Sequence, residues 1–436
     1  MLHELKLLVQ GHNPLQNFEK DNFIMANVIT KSDEIFERAK TVIPGGISGH
    51  YGSFVRKNGP KFFSKSEGSR FWDVDGNEYI DLMCAYGPMV LGYNHPVVNE
   101  AALEQLKHGN TVSLASPVMV DLAETIVDMV DAADWAMFSK NGGDTTAQAV
   151  LIARAATGRK KIVKVKEGYH GVAAWMQEDR AGTTPADTEH VLEIPWNDVE
   201  ALQSIIDEHP GDVACFISSA YEHSLFRDNA LPADGYWEAM EALCRKNGIV
   251  LIIDEVRTGF RINLKGANVE YGFTPDLICF GKAIANGFPL AALTGSDSLK
   301  EAAKEVYFTG TQFFNAAPMA AARATLIELQ KVDGARAMTE YGNKVNQGLV
   351  DVAASHGYEL VASGIPAMPY YRIEGPSLKI HSAWVDHCVA RGLYLLAVHN
   401  NFVSTAHSEA DLKKILEIAD DAFGALGSPS SHAVAG

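Results

Sequence analysis

Two residues, Asp254 and Lys282, stand where a chain can do covalent chemistry, 28 residues apart. Each closes an apolar run: Ile249-Val250-Leu251-Ile252-Ile253 precedes the aspartate, and Leu277-Ile278-Cys279-Phe280 precedes Gly281-Lys282. Such runs read as buried strands of a parallel sheet, and a spacing near the roughly 30 residues of a β-α-β unit sets their carboxyl ends side by side. A lysine at a partly desolvated sheet edge can form a Schiff base with an aldehyde, and an aspartate there can keep a heteroaromatic nitrogen protonated. Taken singly, a lysine is more often a solvated surface group and a strand-end aspartate more often a cap. The third element is Asn141-Gly142-Gly143-Asp144-Thr145-Thr146, a glycine-rich turn opening a helix. Free N–H groups and a positive dipole end make such a turn an anion site, and glycine lets a phosphate approach closely. Ring nitrogen, aldehyde and phosphate together describe pyridoxal 5'-phosphate (PLP).

The elements that must position these groups are legible around them. From about residue 130 to 300, short apolar runs alternate with helical patterns, the signature of an α/β fold with helices on both faces of a parallel sheet. Ligands of such sheets sit at the carboxyl ends of the strands. After the glycine-rich turn, Ala147, Val150, Leu151 and Ala155 recur at helical spacing and Gly158 stops the helix. Phe71 to Ile80 reads as a hairpin turning at Asp75-Gly76-Asn77. Ser408-Glu409-Ala410-Asp411 resembles a capping box, followed by the apolar stripe Leu412, Ile415, Leu416, Ala419 and Phe423. Beyond about residue 331 long helices mix with short strands, as in an α+β domain. The expected organisation is an N-terminal segment 1–80 belonging to a small domain, a large PLP-binding domain 81–330, and a C-terminal small domain 331–436.

Composition narrows the function classes. The 436 residues are 47% hydrophobic and 21% charged, which fits a globular protein and excludes disordered, collagen-like and coiled-coil chains. A formal net charge of −17 argues against nucleic acid or an anionic membrane surface as partner, since both need a basic footprint. The five cysteines are scattered without a CxxC pair, so neither a disulfide framework nor a zinc site is expected, and the 15 histidines show no HExxH spacing. No apolar segment approaches the roughly 18 residues of a membrane span. Met25 offers a second start, so residues 1–24 are expected to contribute little, and the protein is expected to be cytoplasmic.

Asp254-Glu255-Val256-Arg257-Thr258-Gly259-Phe260-Arg261, then Pro275-Asp276-Leu277 and Gly281-Lys282-Ala283-Ile284-Ala285-Asn286-Gly287-Phe288-Pro289, resemble the signature of the class III, fold-type I PLP aminotransferases. Ile43-Pro44-Gly45-Gly46, the segment Tyr86 to Pro96, Gly168-Tyr169-His170-Gly171 and the segment Phe402 to Ser408 resemble the glutamate-1-semialdehyde aminomutase branch. The resemblance runs from about residue 40 to 424, with the motifs in the family's order. It implies a large domain with a mostly parallel, seven-stranded-type sheet flanked by helices, and a smaller α+β domain built from both chain ends. It also implies that Lys282 bonds the cofactor aldehyde and later moves the substrate α-proton, while Asp254 pairs with the ring nitrogen. Val256 and Tyr169 would cover the two ring faces, and Gly142 and Gly143 would offer phosphate N–H groups. Gly310-Thr311 resembles the segment that reaches the phosphate from a neighbouring subunit, which implies a homodimer with the active site at the subunit interface.

The departures bear on substrate. Where the aminomutase branch holds the substrate carboxylate with an arginine after Pro-Gly-Gly, the segment Ser48 to Phe54 has Gly52, and glycine cannot pair with a carboxylate. The branch's tryptophan before Gly-Pro-Met-Val-Leu-Gly is Tyr86, its Glu-Pro pair is Ser219-Ala220, and its glutamate in the phosphate turn is Asp144. These changes suggest an altered pocket on an intact cofactor platform, with His50, Tyr51, Tyr86, Tyr221, His223 and Phe313 as candidate lining residues. Arg257 is a candidate for the carboxylate of a keto-acid acceptor, and Arg261 reads as structural. The expected reaction is transfer of an amino group from a primary amine lacking an α-carboxylate to a keto acid such as pyruvate. The alternative is aminomutase-type transfer within one molecule.

Overall fold

The computed structural model describes residues 27–47, 59–176, 181–375 and 378–427, so His50, Tyr51 and Gly52 lie outside the described residues. In chain order the strands are β1 (Phe63–Glu67), β2 (Arg70–Asp73), β3 (Glu78–Asp81), β4 (Trp135–Ser139), β5 (Lys161–Val165), β6 (Val191–Ile194), β7 (Val213–Ser219), β8 (Val250–Glu255), β9 (Leu277–Phe280), β10 (Ala291–Gly295), β11 (Leu360–Ser363), β12 (Tyr370–Ile373) and β13 (Leu393–Tyr394). Seven of them form one sheet in the order β4-β10-β9-β8-β7-β5-β6. Strand β10 runs antiparallel to both its neighbours, and the remaining pairs are parallel. Every residue of β8 is buried, as its unbroken hydrophobicity requires of a strand covered on both faces. Its Ile252 and Ile253 are wholly buried, each contributing about 1.5–3 kcal/mol.

Strands β8 and β9 are neighbours with Asp254 opposite Cys279, so the sequence reading of two adjacent strand ends holds. The glycine-rich turn opens the helix Gly142–Thr157, which ends at Gly158 in a left-handed conformation (φ 68°). The helix is where the spacing put it, but its buried face is not. Thr145, Thr146, Ala149, Ile152 and Ala153 face inward with Val150, whereas Leu151 is 40% exposed and Ala155 lies on the surface. Small residues pack this face because the helix lies directly on β7, β9 and β10, and their interior leaves no room for a leucine row.

A second sheet, β1-β2-β3-β13, joins strands from the two ends of the chain, with β13 parallel to β3. The hairpin β2–β3 closes as its sequence suggested, Asp73 N–H donating to the Asn77 carbonyl at 3.0 Å. The helix Glu409–Leu426 starts in a capping box: Ser408 N–H donates to Asp411 Oδ2 (2.9 Å) and Asp411 N–H to Ser408 Oγ (3.2 Å). Arg70 of β2 donates to the same Asp411 at 2.5 Å, tying the two chain ends together. Strands β11 and β12 form a separate antiparallel pair. All five cysteines are buried and none is in a disulfide. Among the described residues no helix is long and apolar enough to cross a membrane, and no cluster of His, Cys, Asp or Glu could hold a metal ion.

Candidate active site

The carboxyl ends of β8 and β9 deliver Asp254 and Lys282 to one place. Alternation along β8 sends Asp254 to the face opposite its neighbour Glu255. Glu255 turns away to accept the Ala267 N–H (2.8 Å), and burial pushes its carboxyl up to about 8. Asp254 is buried and fixed at both oxygens: Oδ1 accepts the Val256 N–H at 2.9 Å, and Oδ2 lies 2.7 Å from His170 Nδ1. His170 comes from the loop after β5, in the Gly-Tyr-His-Gly segment, and its other nitrogen is buried without a hydrogen-bond partner. Lys282 follows β9 with φ 41° and begins the 3-10 turn Lys282–Ala285. Burial, reinforced by the Arg257 charge and only partly offset by Asp254, pushes its amine down to about 7. The amine is therefore substantially neutral, and nucleophilic, near neutral pH.

The glycine-rich turn meets these strand ends without side chains in the way. A Cβ on Gly142 would stand 2.5 Å from Val256 Cγ1, and one on Gly143 would meet the Gly171 backbone at 3.3 Å. The N–H groups of both glycines belong to the first helical turn, where no preceding helical carbonyl can take them. Asp144 caps the turn by accepting the Asn141 N–H at 2.8 Å. A buried carboxylate, a buried amine, the Val256 side chain and the open N–H groups of a helix start thus converge, a set of groups that fits pyridoxal phosphate. The fit also gives the narrow spacing of Gly142 and Val256 a reason.

Around this platform the chain builds a wall of aromatic and amide side chains. Arg257 Nη1 donates to the His223 carbonyl (3.0 Å) and to Asn400 Oδ1 (3.1 Å), and lies 3.1 Å from His223 Nδ1. His223 packs edge-on against the buried Tyr221, ring centroids 5.2 Å apart. Burial and the Arg257 charge hold His223 well below the usual imidazole range and push His399 down to about 3, so both imidazoles are neutral. Tyr86 meets His399 edge to face at 5.3 Å. Tyr169 is 61% exposed in the single chain, next to the buried His170. Thr311 is exposed and Phe313 stacks on Phe308 at 5.8 Å. The sequence reading gave no role to His170, His399 or Asn400. Only the first carried a signal, its place within Gly168-Tyr169-His170-Gly171.

A family model described as aminotransferase class III matches residues 54–422. The chain belongs to the class III aminotransferases. An aminopentol aminotransferase of Sphingopyxis macrogoltabida is 39% identical over 399 residues, covering 91% of this chain and 94% of the relative. A glutamate-1-semialdehyde 2,1-aminomutase of Desulforamulus reducens is 32% identical over 429 residues, covering 92% and 99%. The solved FumI protein of Sphingopyxis sp. MTA144, in its PLP internal aldimine form, matches with a TM-score of 0.89 at 38% identity, covering 91% of this chain and 96% of that one. The architecture is PLP-transferase fold type I, and this class III aminotransferase is a PLP-dependent enzyme.

Proposed function

We propose that this aminotransferase takes its amino group from a primary amine without an α-carboxylate and passes it to a keto acid such as pyruvate. The observation that carries the transfer chemistry is the convergence of a near-neutral Lys282 with the doubly fixed Asp254 beside the Gly142–Val256 cradle. Support for an amine donor comes from Gly52 in the segment where the aminomutase branch has its carboxylate-binding arginine, and from the 39% identity with an aminopentol aminotransferase. The aminomutase alternative rests on a relative at 32%.

Bound here, pyridoxal phosphate supplies an aldehyde that captures the amine and a ring that takes up the electron pair left when the Cα–H bond breaks. Lys282 Nζ would hold the cofactor aldehyde and would serve as the base for the substrate Cα proton. Asp254 keeps the ring nitrogen protonated, and His170 fixes the carboxylate's orientation. Val256 and Tyr169 cover the ring, and Gly142 and Gly143 bind the phosphate with Thr311 of the partner subunit. Tyr86, Tyr221, His223 and Phe313 are the candidates for the substrate pocket among the described residues and Arg257 the candidate for the acceptor carboxylate, while His50 and Tyr51 lie outside the described residues.

In this reading the working unit is a homodimer. Its support is the apolar surface of the stretch that carries Thr311, where Tyr307 is 91% and Phe314 38% exposed in a single chain. The division at residues 80 and 331 and a cytoplasmic location belong to the same reading, the latter supported by five buried thiols, none in a disulfide. The test is spectroscopic. Adding 1-phenylethylamine to the PLP-loaded enzyme without keto acid should convert the cofactor's visible band to that of pyridoxamine phosphate, and pyruvate should restore it. Lys282→Ala should abolish turnover. A band that responds only to glutamate semialdehyde would replace this reading with the aminomutase one.

A further inference from the structure

One segment beside the site is folded against its own chirality. Cys84, Ala85 and Tyr86 have φ of 45°, 54° and 65°, and Gly87 follows at 109°. L-residues avoid this region because Cβ crowds the next carbonyl, and three non-glycine residues in succession need holding from outside. The holders are on both sides. Asp81, the last residue of β3, receives the Met83 N–H at 2.7 Å and the Tyr93 hydroxyl at 2.5 Å; burial pushes its carboxyl up, and the Tyr93 hydroxyl and the backbone of Met83, Cys84 and Ala85 favour its charged form. A left-handed turn aims successive N–H groups in one direction, and a carboxylate fills the nest they make.

On the far side Arg261, wholly buried, donates through Nη2 to the Gly87 carbonyl and through Nη1 to the Arg257 carbonyl (3.4 Å). Its guanidinium sits 5.1 Å from the Phe402 ring centroid, and that ring lies so close to Gly87 that a Cβ there would be 3.0 Å away. Asn286, four residues beyond Lys282, receives the Leu91 N–H and donates to the Gly92 carbonyl, each at 2.9 Å. The segment is thus fastened to the two stretches that carry Asp254 and Lys282. Tyr86 touches His399 and also lines, with Met83 and Met89, a cavity of about 540 Å³.

We propose that Asp81 and Arg261 are positioning residues that clamp the left-handed turn Cys84–Tyr86, holding Tyr86 against His399 as a fixed wall of the amine pocket. This deepens the amine-transaminase reading and rests on it. The strain is the functional point: the turn persists only while its clamps hold, and Asp81 holds it from β3, outside the strands that carry Asp254 and Lys282.

The test combines Asp81→Asn, Tyr86→Ala and their double variant with hydrogen exchange of the apo and PLP-loaded proteins. Asp81→Asn should lower kcat/KM of the 1-phenylethylamine half-reaction about tenfold and change the pyruvate half-reaction less than about threefold, and in the Tyr86→Ala background it should add less than about twofold. It should also speed exchange of residues 82–92 about tenfold, and Ala85→Gly in the same chain should recover most of both losses, because glycine adopts the left-handed turn freely. If Asp81→Asn does not fold, Ala85→Val, which strains the turn with both clamps intact, should give the same pattern. Additive effects of Asp81→Asn and Tyr86→Ala, unchanged exchange, or no rescue by glycine would overturn the clamp. If the wild-type enzyme ignores the amine, the amine-transaminase reading and the pocket role of Tyr86 built on it fail together. If the amine reacts normally while exchange in Asp81→Asn is unchanged, only the clamp fails.

Discussion

Replacing Lys282 with methionine should make the PLP-free protein more stable, by an amount that depends on pH. The substitution shortens the unbranched side chain by one heavy atom and removes an amine that the site disfavours in its charged form, chiefly through burial and then through the Arg257 charge. In the folded protein the amine titrates at about 7, against 10.5 for an ordinary lysine. Between those values the unfolded chain binds a proton that the folded chain does not, so this group's contribution to stability rises with pH across that window. Below about pH 7 the cost of Lys282 is fully present, and at 1.36 kcal/mol per pH unit it amounts to roughly 4–5 kcal/mol. Urea denaturation of wild type and Lys282→Met, both free of cofactor, at pH 6, 8 and 10 measures it. The variant should lead by about 4 kcal/mol at pH 6 and lose nearly all of that lead by pH 10, since titrating groups that do not feel the Lys282 charge cancel in the difference. A lead that does not change with pH, or a less stable variant at pH 6, would refute the claim that the site holds this amine near neutrality.

Asp254→Asn should retain cofactor but slow the amine half-reaction about 10²–10³-fold, a loss seen by stopped-flow absorbance; a near-normal rate would refute its role at the ring nitrogen. Gly142→Ala would put a methyl 2.5 Å from Val256 Cγ1, so it should weaken PLP binding and cost about 1–3 kcal/mol of stability. Adding Val256→Ala should restore thermal stability. Wild-type PLP affinity in Gly142→Ala alone, measured by fluorescence titration, would count against the cradle.

Much of the platform was readable in advance because its signals are short-ranged. The apolar run before Asp254 dictates a strand buried on both faces, and the run before Lys282 a second at β-α-β spacing, so their adjacency in β8 and β9 follows from local pattern and the usual crossover. The helix after Asn141 was equally legible from its glycines and from Gly158. Its inward face was misjudged, since alanines, threonines and one leucine carry little contrast and the packing surface above the sheet decides which turns inward.

Residue types and spacing therefore determined the chemistry on offer: a strand-end aspartate, a desolvated lysine and a helix-opening glycine pair. Only the tertiary structure decided what tunes them. His170 meets Asp254 across 84 residues of chain, Arg257 meets Asn400 across 143, and Arg261 meets the Gly87 carbonyl across 174. Such pairs leave no periodicity in the sequence, because they arise where separate loops are brought to the same edge of the sheet. The left-handed turn at Cys84–Tyr86 is of the same kind. No residue in it prefers that conformation, and Asp81 close by in the chain holds it there together with Arg261 from 174 residues beyond Gly87.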